Sequence, residues 1–154
     1  MKLFTRKATS TWLSTRQDCN GNLTTPGGTL KKIRCLPSTN HGLGGASRPE
    51  LIATAHADSF SMALAHELGV AGYSPDQIDT TATVTMENLA VGWTLTRIHL
   101  DVIATVPNAM QCDFIDAALL AKLHCPISRL LKAKISMRAK LERRATVAPI
   151  SESV

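Results

Sequence analysis

Aromatic side chains are scarce in this sequence: two Trp, one Tyr and three Phe make up 4% of 154 residues. Too few rings stand near its basic residues to form a stacking platform for single-stranded nucleic acid, and the core has to be built from Leu, Ile, Val, Met and Ala. Hydrophobic runs are short as well. None approaches the roughly 20 residues of a membrane-spanning helix, and no apolar stretch follows the basic start Met1-Lys2-Leu3-Phe4-Thr5-Arg6-Lys7. A soluble cytoplasmic protein with no membrane partner is expected. The four cysteines, Cys19, Cys35, Cys112 and Cys125, contain no CxxC pair. A chain of this length buries about two thirds of the surface its unfolded form exposes and needs no disulfide staples, so free thiols are expected. His41, His66, His99 and His124 show no paired spacing with one another or with the cysteines, so no metal and no other cofactor is expected.

Positive charge is what the chain has in excess, with a net charge of +5 and basic residues crowding Lys132, Lys134, Arg138, Lys140, Arg143 and Arg144. These alternate with Ile135, Met137, Ala139 and Leu141, which is the pattern of a strand with one wet face. A solvated sheet face accounts for them, and nucleic acid is not an expected partner.

From Lys7 to Leu36 the chain is rich in Thr and interrupted by Asn20-Gly21-Asn22 and Pro26-Gly27-Gly28, predicting a small meander of short strands. Pro37 to Gly45 predicts an exposed loop. Ser47-Arg48-Pro49-Glu50 then carries an N-cap serine, a proline in the first turn and a glutamate three residues after the cap, the elements of a capping box. Leu51, Ile52, Ala55, His56, Ser59, Phe60, Ala63, Leu64 and Leu68 follow at helical spacing, and Gly69 with Gly72 stops the run. Next, Ile78, Ala82, Val84 and Met86 alternate with polar residues as a half-buried strand does, and its hairpin partner spans Val91 to Val106. Apolar parity changes along that partner, which calls for a bulge or a change of covered face near Arg97. Phe114 to Leu123 suits a second helix, His124-Cys125-Pro126-Ile127-Ser128-Arg129 opens a short third, and a last strand covers Ala133 to Glu142. The order is α+β rather than alternating βαβ. A single domain over residues 1–144 is expected, with Ala145 to Val154 a disordered tail.

Three stretches carry more than a fold class. Pro49-Glu50-Leu51-Ile52, followed by Ala55-His56-Ala57-Asp58-Ser59-Phe60-Ser61-Met62-Ala63-Leu64, resembles the central helix of the OsmC branch of the OsmC/Ohr hydroperoxide-resistance family. Ser74-Pro75-Asp76-Gln77-Ile78-Asp79-Thr80-Thr81-Ala82 and Cys125-Pro126-Ile127-Ser128-Arg129-Leu130-Leu131 resemble the family's other recurrent stretches, in the right order. The similarity is strong over residues 48 to 142.

That resemblance implies antiparallel sheets packed on a long helix, an intertwined homodimer with sites at its interface, and reduction of organic hydroperoxides by two cysteines. A dithiol such as a lipoylated protein restores the pair. The first cysteine belongs at position 59 and the second at position 125, so Ser59, Cys125 and Glu50 mark the expected catalytic centre. Departures follow from the same mapping. Ser59 cannot form a sulfenic acid or a disulfide. The family's loop arginine falls at or beside Thr39 and Asn40, its glutamate at Pro49 or, with one deletion, at Glu50, and Asp58 would raise the pKa of a thiol beside it. The reading is an OsmC-type hydroperoxide-resistance protein with impaired or altered catalysis. The alternative is a non-catalytic paralogue that holds a lipid-like or other apolar small molecule. A serine nucleophile with His56 as base is disfavoured, because one straight helix supplies no elbow and no oxyanion donor; His56 is expected to be a partly buried packing residue.

Overall fold

Short Thr-bearing segments at the start of the chain pair as a meander, as their Thr content and turn residues predict. In the computed structural model, which describes residues 3, 5–14, 19–36 and 45–142, β1 (Thr9–Ser14), β2 (Cys19–Thr24) and β3 (Ile33–Leu36) form an antiparallel meander. Gly28, at φ 76, makes the turn between β2 and β3 with its N–H bonded to the Thr25 carbonyl, a backbone region glycine enters without penalty. The two-residue β4 (Ala46–Ser47) adds to β3 in parallel. Only Gly45 of the expected loop Pro37 to Gly45 is described; Thr39, Asn40 and the tail Ala145 to Val154 lie outside the described residues.

The chain divides into two compact units, residues 1–52 and 53–154. The long helix α1 (Arg48–Val70) starts in the first and runs through the second. Its start is a capping box: Ser47 N–H donates to Glu50 Oε2 at 2.7 Å, and Glu50 N–H donates to Ser47 Oγ at 3.4 Å. Two of the helix's otherwise unpaired donors are satisfied in this way. At the other end the Tyr73 N–H reaches the Leu68 carbonyl at 2.8 Å and the Gly72 N–H reaches that of Gly69 at 3.1 Å, with Gly72 at φ 86. That is a Schellman stop with glycine at C′.

The second unit holds the main core. β5 (Gln77–Leu89) and β6 (Gly92–Thr105) form a long antiparallel hairpin, and β7 (Lys134–Glu142) joins β6 in parallel. Parallel pairing needs a crossover, which α2 (Gln111–His124) and α3 (Pro126–Leu130) supply. Register jumps from Thr85↔Arg97 to Met86↔Leu95, so Thr96 is the extra residue of a bulge beside Arg97. Phe60, Leu64 and Leu68 of α1 pack with Ile98, Leu100, Val102 and Ala104 of β6 and with Phe114, Ala117, Ala118 and Ala121 of α2. Each fully buried large side chain contributes about 1.5–3 kcal/mol relative to exposure. A charge at Leu64, one of the fully enclosed positions, would break this core. Among the described residues no helix is long and apolar enough to cross a membrane.

Candidate active site

Cys125 stands at the joint of two helices. Its N–H closes the last turn of α2 on the Ala121 carbonyl at 2.8 Å, and its carbonyl accepts the Arg129 N–H at 3.1 Å. Pro126 forces the residue before it out of helical geometry, and Cys125 adopts φ −57 and ψ 121. That bend turns its side chain inward, where it is a free thiol with no exposed surface.

α1 brings two groups to this thiol's neighbourhood. Ser59 Oγ lies 3.3 Å from Cys125 Sγ, with either atom able to donate. Sixty-six residues apart in the chain, the two side chains face each other. His56, one helical turn earlier, belongs to the buried stripe His56, Phe60, Leu64, Leu68; it is fully buried rather than partly so. Its Nε2 sits 2.8 Å from Ser128 Oγ of α3, and its Nδ1 has no partner. Burial pulls the imidazole below its ordinary 6.5, so it is neutral at physiological pH. Its ring is thus bonded to Ser128 and not to Ser59.

Electrostatics at Cys125 are a contest. Burial pushes the thiol up, but the Ser59 hydroxyl, the Ser128 N–H and hydroxyl and the Ile127 N–H favour the ionised sulfur, and together they bring it below its ordinary value of 9.0. The sulfur makes no capping hydrogen bond to α3; nearby N–H groups act on it as oriented dipoles. The neighbouring hydroxyls thus oppose the effect of burial on the thiol.

The other expected residues stand as follows. Glu50 closes the capping box at Ser47. Asp58 is exposed and lines a groove of about 540 Å³ with Asp79 and Thr80 of β5, where Ser61 Oγ donates to Thr80 Oγ1 at 2.8 Å. Cys112 is exposed, with its thiol 3.6 Å from an Asp113 carboxylate oxygen. His124 pairs with Glu67 at 2.7 Å. Among the described residues no three or more His, Cys, Asp or Glu gather as a metal site would need. Ser128 escaped the sequence reading. Its signal was its place in the first turn after Cys125, combined with a histidine lying on an otherwise apolar helical stripe.

The geometry is thus a buried thiol that faces a hydroxyl from the middle of a long helix. The chain belongs to the OsmC family: the family described as OsmC-like protein matches residues 40–140. It is 35% identical over 138 residues to the peroxiredoxin OsmC of Escherichia coli (strain K12), covering 89% of this chain and 96% of that relative. The fold is shared with the organic hydroperoxide resistance protein OhrB of Bacillus subtilis, at a TM-score of 0.68 and 19% identity, with 92% of this chain and 100% of that one covered. It is shared as well with the organic hydroperoxide resistance protein OsmC of Legionella pneumophila, at a TM-score of 0.67 and 22% identity over 92% and 99% of the two chains.

Proposed function

We propose that this chain is an OsmC-type hydroperoxide-resistance protein with altered catalysis, its centre formed by Ser59, Cys125 and Glu50 and its two-sulfur cycle interrupted at Ser59. The observation that carries the reading is the 3.3 Å contact of Ser59 Oγ with Cys125 Sγ. In a two-cysteine cycle a thiolate at position 59 attacks a peroxide oxygen, the O–O bond breaks, the alcohol leaves after taking a proton, and a sulfenic acid remains. The Cys125 thiol then condenses with it, water departs, and an external dithiol reduces the disulfide formed. An alcohol oxygen at position 59 performs none of these steps. What remains is a buried, hydrogen-bonded thiol at Cys125.

The reading includes a cytoplasmic homodimer that takes an organic hydroperoxide or another apolar small molecule and a dithiol reductant such as a lipoylated protein. Exposed Met62, Leu119, Leu120, Leu123 and Leu130 give the second unit an apolar surface for a second copy, and free thiols suit a reducing compartment. The test is dithiol-dependent consumption of cumene hydroperoxide by the native chain, Ser59→Cys, and Ser59→Cys with Thr39→Arg. The native chain is expected to show none, the single variant a little and the double variant more. Fast turnover by the native chain would overturn the reading.

A further inference from the structure

A half-buried hydroxyl and a buried imidazole near the thiol have hydrogen-bonding capacity that the two-cysteine scheme does not use. Ser128 has a single hydroxyl proton and two claims on it: His56 Nε2 lies 2.8 Å from its oxygen, and the same hydroxyl, three residues on from Cys125, acts to lower the pKa of that thiol. If Ser128 gives the proton to His56, the imidazole carries its own proton on Nδ1, which is buried without a partner. An orphaned buried N–H is among the rarest and costliest of unsatisfied groups. If instead Nε2 carries the proton and donates to Ser128 Oγ, only a lone pair is left bare at Nδ1, and the Ser128 proton points at the sulfur. Ser59 is then free to donate from the other side. Charged groups on the elements that meet here are turned elsewhere: Asp58 of α1 and Arg129 of α3 lie outside the buried core, His124 at the end of α2 is bonded to Glu67, and β6 presents Ile98, Leu100 and Val102 to the core.

We infer that His56 is a positioning residue for Cys125: as its Nε2–H tautomer it donates to Ser128, which turns the Ser128 proton toward the sulfur, and this one-way chain stabilises the ionised form of Cys125. The inference deepens the proposed function and rests on it for the use the thiolate is put to, but its test needs no peroxide. Nitrogen-15 NMR of the native protein at neutral pH reports the His56 tautomer. Ultraviolet thiolate absorbance against pH, with Cys125 isolated as the difference from Cys125→Ala, reports the thiol. We expect the Nε2–H tautomer, and a roughly tenfold smaller thiolate fraction at pH 7 in both Ser128→Ala and His56→Phe. His56→Gln, whose amide N–H reaches the Nε2 position, retains most of the native fraction. A purely structural role would lower thermal stability in these variants and leave the titration in place. The inference is overturned by an Nδ1–H tautomer, or by an unchanged thiolate fraction in Ser128→Ala, which keeps the backbone even where His56→Phe does not fold. Fast peroxide turnover by the native chain would count against the proposed function and leave this donor chain standing.

Discussion

On the proposed reading, position 59 carries oxygen in place of a sulfur, which leaves the side chain beside Cys125 but removes its ability to be oxidised. Restoring sulfur should therefore restore a bond before it restores an activity. We predict that Ser59→Cys treated with diamide forms a disulfide between the introduced thiol and Cys125, seen as a linked peptide pair by mass spectrometry under non-reducing conditions. The 3.3 Å contact leaves only a small rotation to reach the S–S distance of about 2.05 Å; recovery of both thiols free would show that the side chains do not meet in solution. Asp58, being exposed to solvent, acts on position 59 through a medium that screens it, so Asp58→Asn should change the Ser59→Cys rate less than Thr39→Arg does. Both titratable groups of the site also tie stability to pH with the same sign. Cys125 and His56 each have a folded pKa below the unfolded one, so the unfolded chain binds more protons in each window and stability rises with pH. The thiolate contribution is full above 9.0 and is lost as pH falls through the lowered value; the His56 contribution is full above 6.5 and is lost below it. The thermal midpoint should fall from about pH 9 to about pH 5. Cys125→Ala should flatten the upper part of that slope and His56→Gln the lower, and identical slopes in all three proteins would refute the assignment.

At the scale of elements, the ends of α1 were the most legible part of the sequence, because a capping box and a C′ glycine act within a few residues of themselves. A Cβ at Gly72 would meet no atom within 4 Å, but the residue sits at φ 86, so Gly72→Ala should cost about 1 kcal/mol through backbone strain alone. Ser47→Ala should cost about as much through the lost cap. Urea midpoints with an unchanged slope would measure both. The hairpin was legible for the same local reason, and the parity change near Arg97 called for a bulge or a change of covered face, of which the ladder has the bulge. Strand neighbours were not legible. The alternation of Lys134 to Glu142 marks an exposed and a covered face without revealing that β7 lies parallel to β6, and two-residue β4 is too short to leave a periodicity. The site divides in the same way. Ser59 and Cys125 could be paired only through resemblance, because nothing local joins positions 66 residues apart. His56 and Ser128 were missed as a pair because a polar residue on an apolar stripe does not name its partner.

For the molecule as a whole, the exposed apolar side chains of α2 and α3 set an expectation of self-association. Light scattering at micromolar concentration should give twice the monomer mass, and Leu123→Glu, at an exposed position, should shift it toward one copy without unfolding the chain. The bulge bears on how the chain tolerates changes in its length. Leu95 and Ile98 both pack toward the core although three positions separate them, because Thr96 is skipped by the ladder. Deleting Thr96 would leave them two positions apart, which in a regular strand is again the same face, and would remove a buried hydroxyl that has no partner. At this one site, then, the chain can be shortened without reversing any side chain that follows, whereas a deletion a few residues further on, between Ile98 and Ala104, would turn every later core residue of β6 outward.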